Sequence, residues 1–150
     1  MKFMKILSPE QRQVVQNYLL EPSTKELIIN NKWEEFFENF TRYDRAYYMP
    51  WMVNCALLDA EVDFLPYISY VPVSCFPLDG KETKNFTIKI PSNINEFRAY
   101  SFYGCPNLTL LYDGTVEEYE KIVKSPNWDY LSNGRVICSN GTRDIRGAGA

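Results

Sequence analysis

A chain of 150 residues, 45% apolar and 15% aromatic, is long enough to bury a sizeable core and too rich in rings for intrinsic disorder. It contains no histidine, which removes Ser-His and Cys-His nucleophiles, histidine-containing zinc sites and an imidazole pH switch. Sixteen Lys+Arg against nineteen Asp+Glu give a net charge of −3, with a pI near 5.1, so a nucleic-acid partner is not expected.

The stretch Met1 to Leu7 carries two lysines but no apolar run of signal-peptide length, and no later segment has the roughly 18 apolar residues of a membrane span. The expectation is a cytoplasmic protein with no membrane partner. Cys55, Cys75, Cys105 and Cys138 are too far apart in sequence for a CxxC metal or redox motif and are expected as small buried hydrophobes. The four Asn-X-Ser/Thr triplets at Asn39, Asn85, Asn107 and Asn140 are expected to be inert matches.

The first sixty residues are predicted to be helical. Ser8-Pro9-Glu10-Gln11 supplies an N-cap serine, a proline at the first helical position and a glutamine to close a capping box. A first helix should then run to about Leu20, ahead of Pro22, burying Val14, Val15, Tyr18 and Leu19. Ser23-Thr24-Lys25-Glu26 predicts a second capping box ahead of Leu27, Ile28 and Ile29. Trp33, Phe36, Phe37 and Phe40 recur at helical spacing, with Glu34, Glu35 and Glu38 on the other face, and form a core stripe. Pro50 starts or kinks a fourth helix carrying Trp51, Met52, Cys55 and Leu58. The Tyr43, Tyr47, Tyr48, Trp51 cluster either packs onto the next module or offers an aromatic partner surface.

After Asp63 the chain turns to short β-type runs broken by Pro, Gly and Asn, and these contain an internal repeat. Residues 68–76 overlay 94–102 at an offset of 26, matching Ile68 to Ile94, Val71 to Phe97, Val73 to Ala99 and Phe76 to Phe102. Phe86-Thr87-Ile88-Lys89-Ile90 overlays Leu108-Thr109-Leu110-Leu111-Tyr112 at an offset of 22. Alternation places Phe86, Ile88, Ile90, Leu108, Leu110 and Tyr112 inside, and Thr87, Lys89, Thr109 and Leu111 on the outer face. Thr115-Val116-Glu117-Glu118 predicts a capped helix that sets Val116, Tyr119, Ile122 and Val123 against the sheet. Asn133-Gly134 and Asn140-Gly141 bracket a strand, Arg135 to Ser139.

The run from Ile90-Pro91 through Ile94, Phe97, Ala99, Phe102, Gly104-Cys105 and Leu108 resembles the BspA-type leucine-rich repeat. The stretch with Tyr112, Gly114-Thr115, Glu117-Glu118-Tyr119, Ile122, Trp128 and Cys138-Ser139-Asn140-Gly141 is similar to that family's C-terminal closing unit. The resemblance covers roughly residues 64–142; in the first copy Pro77-Leu78-Asp79-Gly80 replaces the Gly-Cys turn, and nothing is carried onto residues 1–60. It implies an α/β (α+β) fold. An N-terminal helical module (1–62) would pack on a short repeat solenoid with a helix-strand cap (63–142), followed by a flexible tail (143–150).

It also implies an interaction scaffold. The expectation is a non-catalytic protein-binding module, a small intracellular inhibitor or adaptor of the kind phages encode, with a protein partner and no cofactor. Its contact surface is expected at Thr87, Lys89, Thr109 and Leu111, extended by the exposed members of Tyr43, Tyr47, Tyr48, Tyr67 and Tyr70. The alternatives are a self-associating structural or assembly protein, such as a virion component, or an enzyme. For the last, Asp59, Glu61 and Asp63 are the best carboxylates, and they read as an acidic junction without an EF-hand's glycine or closing glutamate.

Overall fold

Ser8 caps the first helix as its sequence demands: Oγ accepts from Gln11 N–H at 3.1 Å while Gln11 returns a bond to Ser8 N–H at 2.8 Å. The structure, a computed structural model, describes residues 7–39, 49–73, 85–105, 107–130 and 132–145. Helix α1 spans Pro9–Leu20, α2 Pro22–Ile29, α3 Trp33–Glu38 and α4 Met49–Asp59. Val15 and Tyr18 are buried, but Val14 is exposed, one position too far round the helix for the core stripe. The second capping box does not form. Pro22 occupies the first turn of α2, with Glu21 as its N-cap, which places Ser23 and Thr24 inside the helix and buries Thr24. Trp33, Phe36 and Phe37 are buried and Glu34, Glu35 and Glu38 exposed, whereas Phe40 lies outside the described residues.

Past a 3-10 turn, Leu65–Tyr67, the chain passes alternately through two sheets. The strands are β1 (Tyr70–Val71), β2 (Phe86–Ile90), β3 (Glu96–Phe97), β4 (Leu108–Tyr112), β5 (Val123–Lys124), β6 (Gly134–Cys138) and β7 (Gly141–Asp144). One sheet has the order β1-β3-β5 and the other β2-β4-β6-β7; every pair is parallel except the last. The internal repeat is this pairing: Val71 stands opposite Phe97, and Phe86 to Ile90 stand opposite Leu108 to Tyr112. Helix α5 (Val116–Glu120) bridges β4 and β5 and carries its predicted capping box, with Glu118 N–H donating to Thr115 Oγ1 at 3.1 Å. Val116, Tyr119 and Ile122 are buried; Val123 is 64% exposed, because α5 has ended and Val123 already belongs to β5. Arg143 and Asp144 form part of β7 and are not tail.

A single core runs through helices and sheets alike. Phe64 is the bridge, its ring 5.0 Å from Phe37 and 6.0 Å from Trp33. Between the sheets, Phe97 lies 5.1 Å from both Phe102 and Trp128. Rings of this size contribute both area and edge-to-face attraction, about 0.5–1.5 kcal/mol per pair beyond burial. The turns joining the strands also stack: Phe102 N–H donates to Trp128 O, Gly104 N–H to Tyr130 O and Leu108 N–H to Asn133 O, all within 2.9 Å. The fold is of the mixed α+β class, with helices α1–α4 preceding all the strands. No helix among the described residues is long and apolar enough to cross a membrane.

Candidate interaction surface

Parallel register aligns outward side chains into rows. Across the four-stranded sheet, Thr87, Thr109, Arg135 and Asp144 are direct neighbours, and so are Lys89, Leu111, Ile137 and Thr142. Their inward alternates, among them Ile88, Leu110 and Val136, are buried, which holds these strands in a single register. Leu111 and Ile137 sit side by side at the centre of the face, and Ile137 is 36% exposed. Around this apolar pair stand three threonine hydroxyls, the Asp144 carboxylate opposite Arg135, and the cations of Lys89 and Arg135, neither of which is in a salt bridge among the described residues. Such a face offers an apolar contact ringed by hydrogen-bonding and charged groups.

Thr87, Lys89, Thr109 and Leu111 therefore stand together as expected. Arg135 and Ile137 extend the set, and extending the same alternation through the predicted Arg135-to-Ser139 strand would have found them. Tyr67 is exposed on the 3-10 turn, at 54%. Tyr70 does not belong to any surface. Both residues of β1 are buried, Tyr70 at 4% exposure, and burial pushes its phenol up to about 12. Tyr43, Tyr47 and Tyr48 lie outside the described residues.

A second group went unseen in the sequence. Tyr103 and Tyr130 stack with planes 2° apart and centroids at 5.5 Å, and Tyr100 meets both edge-on. Tyr100 and Tyr130 are exposed. The register that sets Glu96 against Val123 also sets Tyr103 against Tyr130; β5 and β6 thus form a third copy of the repeat, in which Lys124 stands opposite Phe97 and breaks the apolar match.

None of the three described thiols is poised as a nucleophile. Cys55, Cys105 and Cys138 are free and buried, while Cys75 lies outside the described residues. Burial pushes Cys55 and Cys105 up to about 12 and raises Cys138, so each stays a neutral thiol at physiological pH. Among the described residues no three His, Cys, Asp or Glu side chains gather to hold a metal ion, Asp59, Glu61 and Asp63 included. Comparison with protein-family models, with curated proteins and with solved structures finds no match.

Proposed function

We propose that this chain is a non-catalytic protein-binding module, a short solenoid of the BspA-type leucine-rich-repeat kind whose outer sheet face takes the partner. One observation carries the reading: Leu111 and Ile137 form an apolar centre among hydroxyls and charged side chains, on a face whose register is fixed by a buried underside. The repeat reading is supported by the alternation of the chain from β1 to β6 between two sheets whose strands pair in parallel over that span. It is also supported by burial at the motif positions Ile94, Phe97, Phe102, Cys105 and Leu108. A partner that fits presents an apolar side chain bordered by carboxylates, meeting Lys89 and Arg135. Three unpaired thiols suit a reducing compartment, and we place its action in the cytoplasm, as a small adaptor or inhibitor.

The test is quantitative. A partner captured from a lysate of the native organism is titrated with the wild type and with Leu111→Asp/Ile137→Asp. The outward position of both side chains leaves the fold intact, checked by melting, and affinity should fall at least about tenfold. Unchanged affinity overturns the surface. A wild-type dimer that the double variant dissociates would instead make the face a self-assembly contact.

A further inference from the structure

Strand β2 ends the four-stranded sheet on one side. Phe86 N–H donates to Asn107 O at 3.4 Å and Ile90 O accepts from Asp113 N–H at 3.0 Å, so the backbones of Phe86, Ile88 and Ile90 serve β4. Strand alternation turns the N–H and C=O groups of Thr87 and Lys89 the other way, to the edge that no strand covers among the described residues. A cleft of about 280 Å³ lies there, between β2 and the segment leading from α4 to the 3-10 turn. No β4 residue lines it among the described residues, which places it on the side of β2 away from β4. Leu58, Val62 and Leu65 supply apolar lining, Lys89 stands on the strand side, and Glu61 and Asp63 stand on the opposite wall.

Glu61 is held there against its backbone preference. The chain leaves α4 through a left-handed residue, with Glu61 N–H donating to Leu58 O at 3.0 Å and Val62 N–H to Leu57 O at 2.9 Å. That residue is Glu61, at φ 57°. Glycine or asparagine is the usual occupant of such a helix terminus, and a glutamate there carries a conformational cost. The cleft thus combines strand backbone that no strand pairs among the described residues, room for one apolar side chain, and two carboxylates, one of them on a left-handed residue.

We propose that this cleft takes an extended segment of the partner protein as an added strand on β2, with an apolar side chain against Leu58, Val62 and Leu65 and a lysine or arginine against Glu61 and Asp63. The inference rests on the protein-binding function proposed above and adds a second contact, next to the outer face. Charge complementarity selects the occupant: two carboxylates, Glu61 and Asp63, against the one lysine of the lining, Lys89, favour a basic strand over an acidic one.

The probe is a blocked peptide, Thr-Lys-Val-Lys-Val-Lys-Thr, compared with its twin carrying glutamate for lysine and with two versions N-methylated on alternate backbone amides. Calorimetry should show the lysine peptide bound at least about tenfold more tightly than the glutamate twin. One of the two N-methylated versions should lose binding, since only one set of amides faces β2. Glu61→Lys/Asp63→Lys should reverse the preference. Equal binding of both peptides, no binding, indifference to N-methylation, or an unreversed preference each overturns the proposal. A wild-type dimer that Glu61→Lys/Asp63→Lys abolishes also overturns it, by making a second copy the occupant. If the captured partner responds to the outer-face variant while no peptide responds to the cleft variant, the cleft falls and the binding function stands. If the captured partner ignores both variants, both readings fall.

Discussion

The guanidinium carbon of Arg98 sits 3.7 Å from the centroid of the Tyr70 ring. Arg98 also reaches Glu96 at 3.6 Å, so a charge pair on β3 and its flank closes over a ring on β1. This lid makes Tyr70 a core residue. The Tyr70 hydroxyl has no partner among the described residues, and an unpaired buried hydroxyl is a liability of about 1–3 kcal/mol. Tyr70→Phe is therefore expected to keep stability or raise it by up to about 1 kcal/mol, and Arg98→Ala to lower it by about 1 kcal/mol. Urea unfolding measures both. A clear loss in Tyr70→Phe would show that the hydroxyl is bonded.

Asn140 in the β6–β7 turn caps α5 from outside. Its Oδ1 accepts from Val116 N–H at 2.8 Å, and its Nδ2 donates to Glu117 at 3.0 Å, the main reason the Glu117 carboxyl is held below its ordinary value. Asn140→Ala should cost about 1 kcal/mol in unfolding free energy. In the same variant an NMR titration should find the Glu117 pKa risen toward its ordinary value. An unmoved titration would mean that this hydrogen bond is absent in solution.

How much of this was readable depended on whether pattern and pairing coincide. Offsets of 26 and 22 were visible because parallel strands place like residues opposite one another, and Phe86, Ile88 and Ile90 have apolar counterparts throughout β4. The same device hid the third copy. Lys124 stands where Phe97 stands in the copy before, and its ammonium lies 4.3 Å from the Tyr119 ring centroid while bonding Tyr119 O and Ile122 O. A lysine in an aromatic's place breaks the apolar match without breaking the stack. Thr24 and Val123 failed for local reasons: one lies within a helix that starts at proline, the other just past a helix that is over. On the outer face, alternation fixed positions, whereas the β2 cleft depends on a chain segment distant in sequence, Leu58 to Leu65, and left no periodic trace.

Gly134 had read only as a turn residue after Asn133, but it opens β6 opposite Leu108. A Cβ at Gly134 would lie 1.8 Å from Leu108 O, and its φ of +147° disfavours any side chain. Gly134→Ala should cost about 3 kcal/mol and separate the ends of β4 and β6. Thermal unfolding tests this, and a melting point within a degree or two of wild type would contradict the register.

Two buried serines separate a bonded hydroxyl from an idle one. Ser132 Oγ accepts from Cys105 N–H at 2.8 Å and donates to Phe102 O, tying two turns together, whereas Ser101 Oγ has no partner among the described residues. The two substitutions remove the same atom from equally buried sites. Ser132→Ala should lose about 2 kcal/mol, because the buried Cys105 N–H loses its acceptor, and Ser101→Ala should be neutral or stabilising. Equal losses would show that packing, and not the hydrogen bonds, sets the cost.

Alkaline pH should unfold this chain through its thiols. Cys55 and Cys105 are raised by burial from 9.0 to about 12, so the unfolded chain gives up these protons first. The sign follows from linkage: the stabilisation is complete below about pH 9 and is lost as pH climbs toward the folded values, by about 1.4 kcal/mol per pH unit for each thiol. Tyr70, raised from 10.0 to about 12, and Tyr119, also raised by burial, steepen the fall above about pH 10. Urea midpoints taken from about pH 7.5 to about pH 10.5 should hold steady and then drop. Cys105→Ala should be less stable at neutral pH, from the lost packing, yet show a shallower alkaline slope by one thiol's share. A slope identical to wild type would mean that the Cys105 thiol titrates alike in the folded and unfolded chain, and so is not buried in solution.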